Sequence, residues 1–311
     1  MISWRRALYL AGIGIGGLLF AYQVWNGYQG VVHSALHISH PVLIAVAWGL
    51  VEVSFALQMI AWSWLMDSLG SHLSWRQVVE GYTLSFLARY IPGSIWGYVS
   101  RGEWLRQDHN VAYSVSHFGS ILEILTILTA LGLISGIYLA SVFVGLYRLI
   151  LLVLTIIFLP SVWLILSFVP RWVLSTKLLN KSFGNVASLH LSIGTWVAVV
   201  MFHLLLWLCY GSLVLFITEA FGIRSEGGLV QYTFLFGLAW VVGFLAVFIP
   251  AGLGVREIAL SSLLVTSVGL SASQASAVSV MSRLMVACSE LLWVGIGIVA
   301  TRMPKPDGSE R

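Results

Sequence analysis

Six apolar runs constrain this chain more than any other feature of it. They lie at about 7–25, 42–66, 111–140, 142–168, 191–218 and 274–300, each near or above the roughly 20 residues a helix needs to cross a ~30 Å hydrocarbon core. Water is absent at that depth, so every backbone N–H and C=O must be satisfied within the segment, and such runs fold as helices. Composition agrees: 9% of the residues are charged, against about 25% in a soluble domain. The expected fold class is an all-α integral membrane protein, a single polytopic domain over 1–311 with no soluble domain. MISWRR has the charge order of a signal peptide, but no small-x-small cleavage site follows before Gln23, so a retained first span is expected. The second run opens on Ser39-His40-Pro41, with proline near the first turn, where a missing N–H costs nothing.

Two further apolar segments, 77–100 and 229–268, are interrupted by Pro and Gly and carry an Arg in or beside the break. Proline removes a backbone donor and clashes with the preceding turn, and broken backbone at membrane depth is tolerated only where protein or a wet cavity surrounds it. Each is expected to form a re-entrant hairpin. The segments also resemble each other. FLARYIPG at 86–93 aligns with FLAVFIPA at 244–251, with five of the first seven positions identical. Each is followed by a span with an internal acid, Glu123 or Glu290. The chain therefore reads as two halves, about 42–140 and 191–300, in the pattern of transporters built from repeats.

Charge placement orients the halves. With the N-terminus cytoplasmic and the hairpins entering from opposite sides, eleven of the sixteen Lys and Arg residues are cytoplasmic and only Arg224 is outside. That is a strong positive-inside bias. Both termini are then cytoplasmic, and the two halves form an inverted repeat, which commonly places a site at its interface. The link at about 170–190, PRWVLSTKLLNKSFGNVASLH, mixes basic and apolar residues. It reads either as an amphipathic helix on the cytoplasmic surface or as a plain connector.

Charges at membrane depth are costly and persist when paired or when they face water. Here they are Glu52, Arg89, Glu123, Arg148, Arg256, Glu257, Arg283 and Glu290. Four acids and four bases can simply neutralise one another and fix helix packing, and Arg148, near a span end, can snorkel. The breaks are more specific. In IPGSIW, Ser94 can cap a half-helix that starts after Pro92-Gly93. In IPAGLGVRE, beginning Ile249-Pro250, Gly252 and Gly254 let the backbone approach a ligand. A half-helix N-terminus favours an anion, and Arg forms bidentate contacts with phosphate. Arg89, Arg101 and Arg256 stand beside the two breaks. The pattern describes either a phosphate-sized anion site or two structural kinks.

Other chemistry finds little support. His33, His37 and His40 fall at helical spacing but have no acid or Cys beside them, and no metal is expected. His117 and His203 read as hydrogen-bonded core residues. Cys209 and Cys288 lack metal spacing. Gly12, Gly14 and Gly17 would permit close helix packing. No G-x-S-x-G, H-E-x-x-H or P-loop occurs, so neither enzyme activity nor a cofactor is expected. No basic patch suggests nucleic acid.

RYIPGSIWGYVSRGE at 89–103 and FIPAGLGVREIAL at 248–260 resemble the lysylphosphatidylglycerol synthase transmembrane region family, across nearly the whole chain. The resemblance implies a flippase-like translocator of lipids in a bacterial inner membrane. Full-length synthases add a soluble aminoacyl-transferase domain, which this chain is expected to lack. On that reading Arg89, Arg101, Arg256 and Arg283 hold a phosphate, and Glu123, Glu257 and Glu290 pair with those bases or hold a cationic head group. The partners are membrane lipids with anionic or zwitterionic head groups. Two rivals remain: a small-solute secondary transporter, and a non-transporting partner of a lipid-modifying or glycosyl-transferring enzyme.

Overall fold

In the computed structural model, residues 4–33, 37–91, 96–109, 111–174 and 191–302 are described. Among them are ten α-helices and no strand. They are α1 (Trp4–His33), α2 (Pro41–Ser68), α3 (Trp75–Ala88), α4 (Trp96–His109), α5 (Tyr113–Val142), α6 (Gly145–Leu174), α7 (Ile193–Ala220), α8 (Leu229–Leu245), α9 (Val255–Val268) and α10 (Ala272–Arg302). The protein is an all-α, multi-pass membrane protein. Six stretches among the described residues are long and apolar enough to cross: Pro41–Ser68, Val115–Val142, Gly145–Ile165, Ile193–Ala220, Pro250–Val268 and Ala272–Ala300. The expected first span lies inside α1.

The two broken segments are helix–break–helix units whose arms pack on each other, α3 on α4 and α8 on α9. A 14-residue arm such as α3, α4 or α9 rises about 21 Å at 1.5 Å per residue, short of the hydrocarbon core. Pro250–Val268 qualifies on length and composition, but a 3₁₀ turn over Pro250–Gly252 separates its first residues from α9. Ser74 starts α3 with a reciprocal cap, its hydroxyl accepting from the Gln77 N–H while the Gln77 side chain accepts from the Ser74 N–H. Pro41 is the first residue of α2, after His40, whose side chain makes no cap bond.

The packing of one half recurs in the other. α5 packs on α4 and α2, and α10 packs on α9 and α7. Across the halves α3 packs on α10 and α8 on α5, while α1 flanks α10 and α6 flanks α5. α2 and α7 form the central pair. The Ser39 and His40 N–H groups both donate to the Ala220 carbonyl, at 2.7 and 3.2 Å. The start of α2 therefore lies beside the end of α7, and these first helices of the two halves run in opposite directions.

Close approaches depend on glycine set against threonine. A Cβ on Gly136 would overlap Thr155, one on Gly211 would overlap Thr233, and one on Gly297 would overlap Thr83. These positions draw α5 to α6, α7 to α8 and α10 to α3, as small residues do between membrane helices. The expected close packing in α1 is not at Gly14 or Gly17, which meet no atom within 4 Å; it is at Gly27, against the Ala277 backbone. His33 ends α1 while His37 and His40 follow it in non-helical chain, so the three do not share a helix face. Residues 175–190, most of the expected connector, lie outside the described residues.

Candidate functional site

α10 carries one stripe of residues that contact the other elements of the site. Ser279, Arg283, Val286, Glu290 and Trp293 follow at spacings of four, three, four and three, which keeps them on one helical face. The Ser279 hydroxyl donates to the Glu257 carbonyl at 2.9 Å, fixing α9 to α10. The Arg283 Nε lies 3.3 Å from Glu257 Oε1. Glu290 reaches into the other half: its Oε1 is 3.1 Å from Arg89 Nη1, and its Oε2 accepts from the Tyr90 hydroxyl at 2.7 Å. The Trp293 indole donates to Glu52 Oε2, and Trp48 donates to Oε1, both at 2.8 Å. Glu52 is thus held by two indoles.

Arg283, Val286 and Glu290 of this stripe form one wall of a partly open cavity where the halves meet. The first half contributes Gln58 from α2, Arg89 from the end of α3, Tyr98 from α4 and Ile127 from α5. The second half adds Leu206, Trp207 and Tyr210 from α7, and Trp240, Gly243 and Phe244 from α8. Ala251, Arg256, Arg283, Val286 and Glu290 complete the lining. The aromatic wall is ordered by its own contacts: Trp240 stacks on Phe244 at 5.1 Å and meets Trp207 edge-on at 5.6 Å.

The break below this wall requires glycine. Gly252 has φ +64°, and a Cβ there would come within 2.8 Å of the Gly243 backbone. Gly254 has φ +81° and precedes α9. The Gly254 N–H donates to Glu257 Oε2 at 2.6 Å. A carboxylate of the same first turn takes one N–H of this half-helix N-terminus. One side chain thus caps α9 and steadies Arg283. Pro92, Gly93 and Ser94, at the other break, lie outside the described residues.

The charged residues divide into two groups. Arg101 and Glu123 do not line the cavity. Each is 1% exposed, and they form an ion pair to which the Tyr82 hydroxyl also donates. Aromatic rings cage the Arg101 guanidinium, Trp62 at 4.4 Å, Tyr82 at 4.5 Å and Tyr98 at 5.7 Å. This pair joins α4 to α5 inside the first half. Arg89, Arg256, Arg283 and Glu290 do meet, around the cavity. Arg256 lies 4.4 Å over the Phe236 ring and has no carboxylate within 4.0 Å among the described residues. Arg283 Nη2 is buried and without a hydrogen-bond partner there. Pro250 and Gly252 are buried in the 3₁₀ turn, of which Ala251 lines the cavity.

Sequence reasoning missed Gln58, Tyr98, Trp207, Tyr210, Trp240 and Phe244. Aromatic residues are frequent in spans, and their helical spacing marks only a buried face. Arg148 is exposed in the first turn of α6, where it can snorkel. His203 Nδ1 lies 3.0 Å from the Val199 carbonyl, as expected of a core histidine.

No curated protein matches the sequence. The profile of one protein family, the lysylphosphatidylglycerol synthase TM region, matches residues 9–288, which reach into both halves and include every residue of the cavity but Glu290. The chain belongs to the lysylphosphatidylglycerol synthase TM region family.

Proposed function

We propose that this protein moves a phospholipid or a lipid-linked phosphate between the leaflets of a bacterial inner membrane, with both termini cytoplasmic and without covalent chemistry of its own. The observation that carries this reading is the cavity between the halves. Three guanidinium groups, of Arg89, Arg256 and Arg283, face it with one carboxylate, Glu290, and an aromatic wall. A charged head group crossing bare hydrocarbon loses its hydration at a large cost. Guanidinium groups already placed at membrane depth replace that hydration, bidentately for phosphate. Membership in a family named for a lipid synthase's membrane region supports the assignment of the cavity to lipid.

In the mechanism this arrangement supports, the phosphate enters between the halves and engages Arg256 and the open edge of Arg283. The two hairpins, whose short arms are turned by Gly252 and Gly254 on one side and begin to turn at residues 89–91 on the other, then expose the cavity to each leaflet in turn. The test is scrambling of fluorescent phospholipid and isoprenoid-phosphate probes in proteoliposomes. Wild type is compared with Arg256→Ala at matched thermal stability. Movement of a probe by wild type and its loss in the variant is the expected result. Wild-type liposomes that move none of these probes, or a folded variant that moves them equally well, would refute it.

A further inference from the structure

The charges around the cavity also specify the class of head group, given that the cavity is a lipid path. Among the described residues, Arg89 is paired with Glu290 and Arg283 with Glu257, leaving Arg256 with an aromatic face and no carboxylate. The set therefore carries one uncompensated positive charge. Both Glu290 oxygens are already engaged: Oε1 accepts from Arg89 and Oε2 from Tyr90. Glu257 is held by the Gly254 N–H at Oε2, while its Oε1 is in ion-pair contact with Arg283 Nε at 3.3 Å without a hydrogen bond. Arg283, 7% exposed, directs a buried Nη2 that no described residue meets. Arg256 shares with it the lining of both this cavity and a smaller one beside it.

We propose that the site selects lipids whose head group is net negative, a phosphate not offset by an amine, and discriminates against zwitterionic and cationic head groups. A phosphate adds bonds to Arg256 and Arg283 without breaking any existing pair. An ammonium group would share Glu290 with Arg89 and Tyr90 while lying among three guanidinium groups. An unpaired ion at this depth is costly, so net charge discriminates more sharply than head-group shape. Glu290 acts as a selectivity residue because it is already occupied, and Glu257 as a positioning residue that leaves one edge of Arg283 open.

The experiment uses the full chain in two formats. In proteoliposomes, acyl-labelled phosphatidylglycerol, phosphatidylethanolamine and lysylphosphatidylglycerol are compared as anionic, zwitterionic and cationic probes. In detergent, thermal stabilisation by dihexanoyl lipids bearing the first two head groups is measured. The loss or gain of one charge-assisted hydrogen bond corresponds to about tenfold or more. The anionic probe should therefore move about tenfold faster than the others and alone raise the melting temperature. Arg283→Gln should remove that preference. Equal or faster movement of the zwitterionic or cationic probe overturns the proposal and leaves the translocase reading intact. If nothing moves but only the anionic lipid stabilises, the head-group assignment stands and the translocase reading falls. If nothing moves and neither lipid stabilises, the proposal is overturned.

Discussion

Glu123→Gln separates structure from transport. The substitution keeps the shape and can still accept from Tyr82, but it removes the only carboxylate paired with Arg101 among the described residues. Both side chains of that pair are 2% exposed, so the guanidinium cannot recover its hydration. Breaking a buried pair costs about 3–5 kcal/mol. The rings of Trp62 and Tyr82 at 4.4 and 4.5 Å remain. Each contributes about 0.5–2 kcal/mol, so the loss should fall at the lower end, near 3 kcal/mol. By contrast the Arg106–Glu103 pair, 47% and 38% exposed, should contribute about 0–1 kcal/mol. Replacing the whole cluster, with Arg101→Met, Glu123→Leu and Tyr82→Phe together, removes every partner at once. It should lie within about 1 kcal/mol of wild type, because apolar replacement of a buried pair is often neutral. Reversible unfolding in mixed micelles of rising SDS fraction, followed by the fluorescence of the 14 tryptophans, reads these differences. A wild-type midpoint for Glu123→Gln, or a triple variant as unstable as the single one, would refute the structural assignment. Lipid movement by a stable triple variant would exclude this pair from the transport path.

The remaining predictions concern close packing and surface charge. Gly211→Ala and Gly297→Ala place a methyl onto Thr233 and Thr83 and should each destabilise by about 1–3 kcal/mol; Gly14→Ala, with nothing within 4 Å, should shift the same SDS midpoint by under about 0.5 kcal/mol. Gly252→Ala combines a positive φ with a contact 2.8 Å from the Gly243 backbone; it should lower stability by about 1–3 kcal/mol and slow probe movement in the scrambling assay. Arg148→Ala, on an exposed helix start, should leave both the midpoint and the scrambling rate unchanged.

What the sequence reveals and what it hides follows from how each signal is encoded. The spans and broken segments are legible because length, proline and glycine act locally: the adjacent Pro and Gly that end QVVEGYTLSFLARYIPG favour a break, whereas α6 runs on through the isolated Pro160 and Pro170. The pairing of charges is not local. Arg101 sits close in sequence to Arg89, and both flank the same break, yet Arg89 reaches Glu290, 201 residues away, while Arg101 turns to Glu123, 22 residues away. Helix spacing sets the face of α4 that Arg101 occupies, and only packing places α5 rather than the cavity against that face. The capping of Gly254 by Glu257 was nearer to hand. A Glu at the third position after a capping residue is a known start signal, and in GVRE it points to a carboxylate on the Gly254 N–H, although Gly254 has no side chain to return the bond.

The two halves hold an ion pair at the same place with its polarity reversed. In the first half the second hairpin arm supplies the base and the following span the acid, Arg101 of α4 to Glu123 of α5. In the second half the arm supplies the acid and the span the base, Glu257 of α9 to Arg283 of α10. Either polarity clamps an arm to its span, so clamping alone does not account for the reversal. Surroundings do. The first pair is sealed by Trp62, Tyr82 and Tyr98, where a guanidinium over ring faces is favourable. The second borders the cavity, and there the acid lies on the arm, where it also caps the Gly254 N–H. That leaves the guanidinium on the long helix, where Arg283 lines the cavity and its buried Nη2 meets no partner among the described residues. The same interface therefore serves as a closed strut in one half and as a cavity wall in the other.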